Sequence, residues 1–472
     1  MTYIRPASSQ IDLWPSLGLE IDWQILFNSS KYSESFQPPS AYLQSLGACY
    51  ETRDHGFDGP LSTCISPHMT SGDIHQIFNT TFQSIGIPPR CEFNGGELRG
   101  FGVQMVTQDG IADIREDSAR AYYYPVADRP NLVVLANTTG TRILWADDAA
   151  NGDAVAAGVE IQVTTGRVSV IHADREVVLS AGAIRSPAIL EHSGVGNSKI
   201  LSKYAIEVKV DLPSVGENLQ DQTVMAILAA ALQPSADFPA FVAHASLQDL
   251  YGPGSQQVYD SVLAKLPEYA ATIAAQNGGA SSAAVQERIL KTQLDLLLSS
   301  NTPASEIAPG IFGDLIGCVF WPLQPLSRGS VYINSTNATA TPAIDGKFLQ
   351  LDFDGKIAVD TARLARKFLT TAPTSSLVNM TTLQPNFDVV PEDASDDVWL
   401  QWLTNSVAPN YHHLGTCAML PKDMGGVVDN DFKVYGTQNV RVVDLSVIPL
   451  QVAGHSTSLV YAVAEWAAQK IR

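Results

Sequence analysis

The sequence predicts a mixed α/β chain of two interleaved or consecutive parts, one carrying a buried strand that feeds a helix and one built on antiparallel sheet. Three observations predict this. The 472 residues exceed the size at which a single hydrophobic core keeps growing. Glu176-Val177-Val178-Leu179-Ser180 is a nearly continuous apolar run, of the kind buried on both faces, and it leads straight into Ala181-Gly182-Ala183. Cys318-Val319-Phe320-Trp321-Pro322 and Ser330-Val331-Tyr332-Ile333-Asn334 read as strands around Pro325-Leu326-Ser327-Arg328-Gly329, which suggests an antiparallel sheet.

Along the chain, residues 1–110 mix short helical patterns with loops rich in Pro, Gly and Ser and contain no strand–glycine–helix unit. Arg129-Pro130-Asn131-Leu132-Val133-Val134-Leu135 reads as a strand. Runs at 142–144, 157–163 and 167–171 follow at short spacing, as in a β-meander. The small residues 181–183 then deliver a helical run through Ala188-Ile189-Leu190 to Ser193-Gly194, an arrangement that brings bare backbone to a flat or charged ligand or makes a tight corner. Residues 213–221 form a polar, turn-rich crossing, and 223–305, rich in Ala, Leu, Ser and Gln, read as a helical cover. Residues 354–369 make an amphipathic helix with Ile357, Leu364, Ala365 and Phe368 on one face.

Composition narrows the function. With 29 Lys and Arg against 48 Asp and Glu, the net charge of −19 argues against nucleic acid and anionic membrane as partners. The most apolar stretch, 224–232, is too short to cross a bilayer. Five cysteines cannot all pair; one disulfide among Cys49, Cys64 and Cys91 fits an exported protein, whereas Cys417 reads as a buried thiol. No spacing suggests a metal site. Six Asn-x-Ser/Thr triplets, at Asn28, Asn79, Asn137, Asn334, Asn337 and Asn379, tilt toward a secretory history, although the first residues show no signal peptide; a genuine start at Met1 implies a cytoplasmic protein.

Two histidines stand out near the carboxyl end. His412, in Asn410-Tyr411-His412-His413-Leu414-Gly415-Thr416, lies on a loop running into a small-residue turn where backbone approaches a ligand closely. His455 precedes Ser456-Thr457 and an apolar run at helical spacing, so it sits at a helix N-terminus, where free N–H groups and the positive dipole end gather. Two imidazoles beside such an end suit removal of a proton with delivery of a hydride to a ring that becomes anionic, as in flavin-dependent alcohol oxidation. By contrast His172, His192 and His244 read as structural.

The motifs also resemble a family. Residues 182–196, Gly-Ala-Ile-Arg-Ser-Pro-Ala-Ile-Leu-Glu-His-Ser-Gly-Val-Gly, fill the second signature stretch of the glucose–methanol–choline (GMC) flavin oxidoreductases. Residues 410–467 are similar to the fungal glucose-oxidase branch, and stretches at 118–125, 129–135, 213–222 and 325–333 follow in that family's order. The resemblance implies an α/β FAD-binding domain interleaved with an α+β substrate domain whose antiparallel sheet roofs the flavin. It divides the chain into cover segments (1–115), a middle FAD-binding part (116–225), a substrate domain (226–409) and a C-terminal FAD-binding part (410–472). It implies catalytic roles for His412, His455 and Glu306, the last as the carboxylate that orients His455. It implies cofactor contacts at Gly182, Ala183, Asp444, Leu445, Ser456 and Thr457, and a substrate contact at Asn410. The implied cofactor is FAD; the implied partners are a small-molecule alcohol, sugar or secondary-metabolite intermediate and an acceptor, O2 or a quinone, with a homodimer left open. Two departures qualify this. Glucose oxidases carry an arginine two residues before their Asn-Tyr-His, and Ala408 stands there, so a donor other than glucose is expected. No Gly-x-Gly-x-x-Gly occurs in the sequence, so the FAD-binding domain is expected to lack its N-terminal Rossmann βαβ unit and to hold little FAD on these residues alone: the chain is a truncated or mis-started product, depends on a partner, or has lost its cofactor. The alternatives are a non-redox cyclase or lyase on the same scaffold and an inactive remnant with a binding role.

Overall fold

Residues Thr223–Ser235 set the architecture. From Thr223 to Ala229 every second side chain is buried and those between are half-buried, the period of a strand, so this stretch is extended and not part of the helical cover expected over 223–305. The computed structural model describes residues 2–69, 72–146, 152–235, 240–298 and 302–471. In it Thr223–Ser235 pairs antiparallel with the long strand Pro303–Pro322, which pairs in turn with Phe241–Ser246. Gly100–Val103 and Ala408–Pro409 close the two edges of the resulting five-stranded sheet. Helices of the expected cover are confined to Leu247–Tyr251, Ser255–Leu263, Leu266–Gln276 and Ala283–Leu298, which bury a cluster of their own around Leu266, Leu290 and Leu294.

The helix Asp352–Thr370 covers the five-stranded sheet with the predicted face: Ile357, Leu364, Ala365 and Phe368 are all buried. Phe368 stacks on Phe82 at 4.2 Å and joins the sheet in the largest apolar cluster. Full burial of Ile357, Leu364 or Phe368 contributes roughly 1.5–3 kcal/mol each. The predicted pairing of 318–322 with 330–334 is not made. Ser330–Tyr332 instead pairs with Ala343–Asp345, while Pro303–Pro322 takes its partners from Thr223–Ser235 and Phe241–Ser246.

A second cluster draws on 11–26, 143–215 and 414–467, far apart in sequence. Its meander is present as Thr138–Trp145, Ala156–Val163 and Val168–His172, antiparallel and in that spatial order. The apolar run at 176–180 forms the strand Val177–Leu179, parallel to Val440–Val442; Val178 is 39% exposed, so one face is open rather than both being covered. Residues 132–135 are not a strand: they are exposed and without a ladder partner among the described residues, and an unpaired apolar run has nothing to fix it as sheet. Strands also occur where only helical patterns were expected, since Thr2–Tyr3, Met105–Val106, Leu61–Cys64 and Glu34–Gln37 form a four-stranded sheet. Cys49 and Cys91 are disulfide-bonded, and Cys417 is a buried thiol.

The helix Gly182–His192 starts six residues earlier than Ala188 and contains Pro187. Proline has no N–H, so the carbonyl four residues back, on Ala183, loses its helical donor. The hydroxyl of Thr416 supplies one at 2.6 Å and thereby stitches the His412 loop to this helix. No described helix is long and apolar enough to cross a membrane.

Candidate active site

Four of the predicted residues converge. The imidazoles of His412 and His455 lie with ring centroids 5.1 Å apart at 77°, and the edge of Trp321 closes on both, at 6.4 and 5.8 Å. Glu306, fully buried on Pro303–Pro322, accepts from Nε2 of His455 through Oε1 at 2.8 Å. Asn410 lies beside His412, its Nδ2 3.2 Å from the ring Nδ1.

The segment read as a turn-rich crossing proves to be the brace of this site. Asp221 accepts the backbone N–H groups of Tyr411 and His412, holding Tyr411 at φ 60°, and Asn218 and Gln220 both donate to the carbonyl of Pro449. Gln222 matters most. Its amide nitrogen is given to the carbonyls of Leu323 and Val452, so its oxygen faces Nδ1 of His412 at 2.8 Å. Nδ1 must therefore carry the hydrogen, and Nε2 is left with a bare lone pair. Asn410 Nδ2 then donates to the same Gln222 oxygen, at 3.3 Å.

Electrostatics keep the His412 ring neutral. Burial drives His412 down to about 3, so the imidazole is neutral at working pH. Burial alone would push Glu306 up, but the rings of His455 and His244 hold it well below the usual carboxylate range. Asp221 is pushed up to about 6 by burial despite the three N–H groups it accepts.

His455 is anchored from the other side. Its backbone N–H and the Ser458 hydroxyl both donate to the carbonyl of Ile4, and Arg5 is fixed by a buried pair with Glu34 at 2.8 Å. Ser456 and Thr457 open the helix Ser456–Ile471 and are half-buried, with the free N–H groups of its first turn.

The remaining predicted residues form a second group tied to the first. Asp444 is satisfied internally, accepting from Ser446 N, Gly182 N and the Ser186 hydroxyl, so its carboxylate acts within the protein. The Leu445 carbonyl accepts from Gly415, and Ala183 is the residue bonded by Thr416. Gly182, at φ 80°, has open space where a side chain would stand. A bare backbone at the start of an 11-residue helix, with open space beside it, fits the close approach of a flat or charged cofactor.

Comparison with known proteins decides the family. The N-terminal and C-terminal models of the GMC oxidoreductases match residues 1–224 and 325–464. The glucose oxidase-like protein fsoC of Humicola fuscoatra is 37% identical over 475 residues, covering 100% of this chain and 80% of that protein. The chain belongs to the GMC oxidoreductase family. This GMC oxidoreductase is also 31% identical over 476 residues to the glucose oxidase of Aspergillus carbonarius, covering 98% of the chain and 76% of that protein. An FAD-dependent oxidoreductase from Chaetomium thermophilum superposes with a TM-score of 0.89 at 25% identity, over 100% of this chain and 84% of that one; a fungal aryl-alcohol oxidase does so at 0.85 and 25%, with the same coverage. The chain is thus an FAD-dependent oxidoreductase.

Sequence reasoning missed Gln222, Asp221 and Trp321. The first two were legible as a polar run without apolar period, Glu217-Asn218-Leu219-Gln220-Asp221-Gln222, directly before a buried strand. His244, in keeping with its structural reading, is buried and donates to Glu306.

Proposed function

We propose that this chain oxidises the CH–OH group of a donor other than glucose, with His412 as the base. The observation that carries the reading is the Gln222 oxygen 2.8 Å from Nδ1 of His412: it holds hydrogen on Nδ1, which leaves Nε2 free to take the hydroxyl proton. Bound FAD supplies the acceptor for the hydride that leaves the same carbon, and the donor becomes a carbonyl. Asn410 and Trp321 orient the donor beside the two rings. The Glu306 carboxylate keeps Nε2 of His455 engaged, so His455 offers Nδ1 to the reacting side. Ser456 and Thr457 at the helix start, with Gly182 and Ala183, hold the ring and its chain, and molecular oxygen takes the electrons.

The cluster around the five-stranded sheet forms the donor side, and the cluster containing Val177–Leu179 and Ser456–Ile471 the cofactor side. Ala408 lies exposed on a sheet edge and offers no bidentate grip for sugar hydroxyls. Trp321 and the exposed Tyr411 ring offer flat apolar contact, so an alcohol with an aromatic body is the better donor. The test supplies FAD in excess and follows peroxide release on benzyl alcohol and on glucose. Faster release on the aromatic alcohol is expected; preference for glucose, or product formed with no electron acceptor present, contradicts the reading.

A further inference from the structure

The Glu306 carboxylate has a second imidazole partner. His244 lies on Phe241–Ser246 directly across the ladder from Glu306, and side chains opposed in this way share one face of the sheet. Its Nε2 is 3.0 Å from Oε2, while Nε2 of His455 is 2.8 Å from Oε1. His244 is wholly buried, with the Phe93 ring 5.3 Å away, and its Nδ1 has no partner.

These contacts leave one consistent assignment. An ionised carboxylate only accepts, so each Nε2 facing it must donate. An unpartnered Nδ1 in a dry site costs least when it carries no hydrogen, which makes His244 the Nε2–H tautomer. Both carboxylate oxygens are then held, each by one ring. Without His244, Oε2 would be a buried charged oxygen with no donor, and the carboxylate, whose terminal torsion is broad, would be free to turn.

We propose that His244 is a positioning residue for His455: by clamping Oε2 of Glu306 it fixes Oε1 on Nε2–H of His455, and so keeps Nδ1 as the nitrogen His455 presents to the cofactor. This rests on the reading above in placing His455 at the cofactor. The assignment of the clamp itself needs neither flavin nor donor.

The test is a long-range proton–nitrogen correlation spectrum of histidine rings in the 15N-labelled full chain at neutral pH, wild type against His244→Leu and His244→Gln. In the wild type both His244 and His455 are expected in the Nε2–H form. In His244→Leu the two His455 ring nitrogens should move toward each other as the tautomers mix, and His244→Gln, whose amide nitrogen can donate to Oε2, should restore their separation. A His455 pattern unchanged in His244→Leu, or a wild-type His244 carrying its hydrogen on Nδ1, overturns the proposal. Should His244→Leu fail to fold, the wild-type His244 tautomer decides, together with Glu306→Gln, in which both ring patterns must change; unchanged patterns refute it. With FAD supplied, turnover of benzyl alcohol should fall about tenfold in His244→Leu with KM altered less than about twofold, and His244→Gln should recover most of it. Absence of turnover in the wild type would refute the oxidase reading while the ring spectra still settle the clamp.

Discussion

Replacing Gln222 by Met removes the acceptor that sets the His412 tautomer. The Gln222 oxygen is 2.8 Å from Nδ1, and the hydrogen bond it accepts is worth about 1 kcal/mol net. Its loss also hands Nδ1 to the Asn410 amide nitrogen, already 3.2 Å away, a donor that favours a bare Nδ1 by about 1 kcal/mol more. A swing of about 2 kcal/mol changes the tautomer ratio about 30-fold toward hydrogen on Nε2, the form that cannot take a proton there. Turnover should fall about fivefold, since a ratio of about five to one for hydrogen on Nδ1, set by the lost bond, becomes about one to six. The variant also leaves the Leu323 and Val452 carbonyls without their donor, so the assay must run well below its melting midpoint. The measurement is anaerobic loss of visible flavin absorbance on rapid mixing of the FAD-loaded protein with saturating alcohol. Gln222→Glu keeps an oxygen toward Nδ1 and should retain more of the rate than Gln222→Met. Reduction by folded Gln222→Met at the wild-type rate would refute the tautomer argument.

Two further perturbations test the scaffold. Thr416→Val removes the hydroxyl that replaces the N–H missing at Pro187, so the Ala183 carbonyl loses its donor; stability should fall by about 1–3 kcal/mol in denaturant titration, and a neutral result would mean that this stitch is idle. Burial, aided by the charge of Glu191, pushes Glu217 up to about 8, and the Tyr332 hydroxyl donates to it. A carboxyl raised in the folded state contributes stability that is whole below its unfolded value near about 4.5 and lost as pH rises through the folded one. Glu217→Gln cannot ionise, so its melting midpoint should exceed the wild type by a few degrees at about pH 9 and match it at about pH 4; a difference independent of pH would contradict this.

The parts of the fold that could be read from the sequence are those with a local pattern. The face of Asp352–Thr370, the meander and the strand leading to Gly182 carry their periodicity within a dozen residues. Thr223–Ser235 was misassigned because its Ala-rich run satisfies helix propensity, and only pairing with Pro303–Pro322 selects the extended form. Residues 132–135 have strand composition but no partner among the described residues, and composition alone does not make a ladder. At the site, His412 and His455 were visible from their neighbours in the chain. Gln222 and His244 were not, since each acts through a contact with a residue far away, 190 positions to His412 and 62 to Glu306.

The central claim is that a neutral, tautomer-fixed His412 takes the hydroxyl proton beside a flavin. Its most direct test is His412→Ala in the FAD-loaded protein, mixed anaerobically with the alcohol the wild type reduces fastest. The claim predicts that the visible flavin spectrum before mixing is retained and that bleaching slows by about 100-fold or more. Bleaching at the wild-type rate would contradict it.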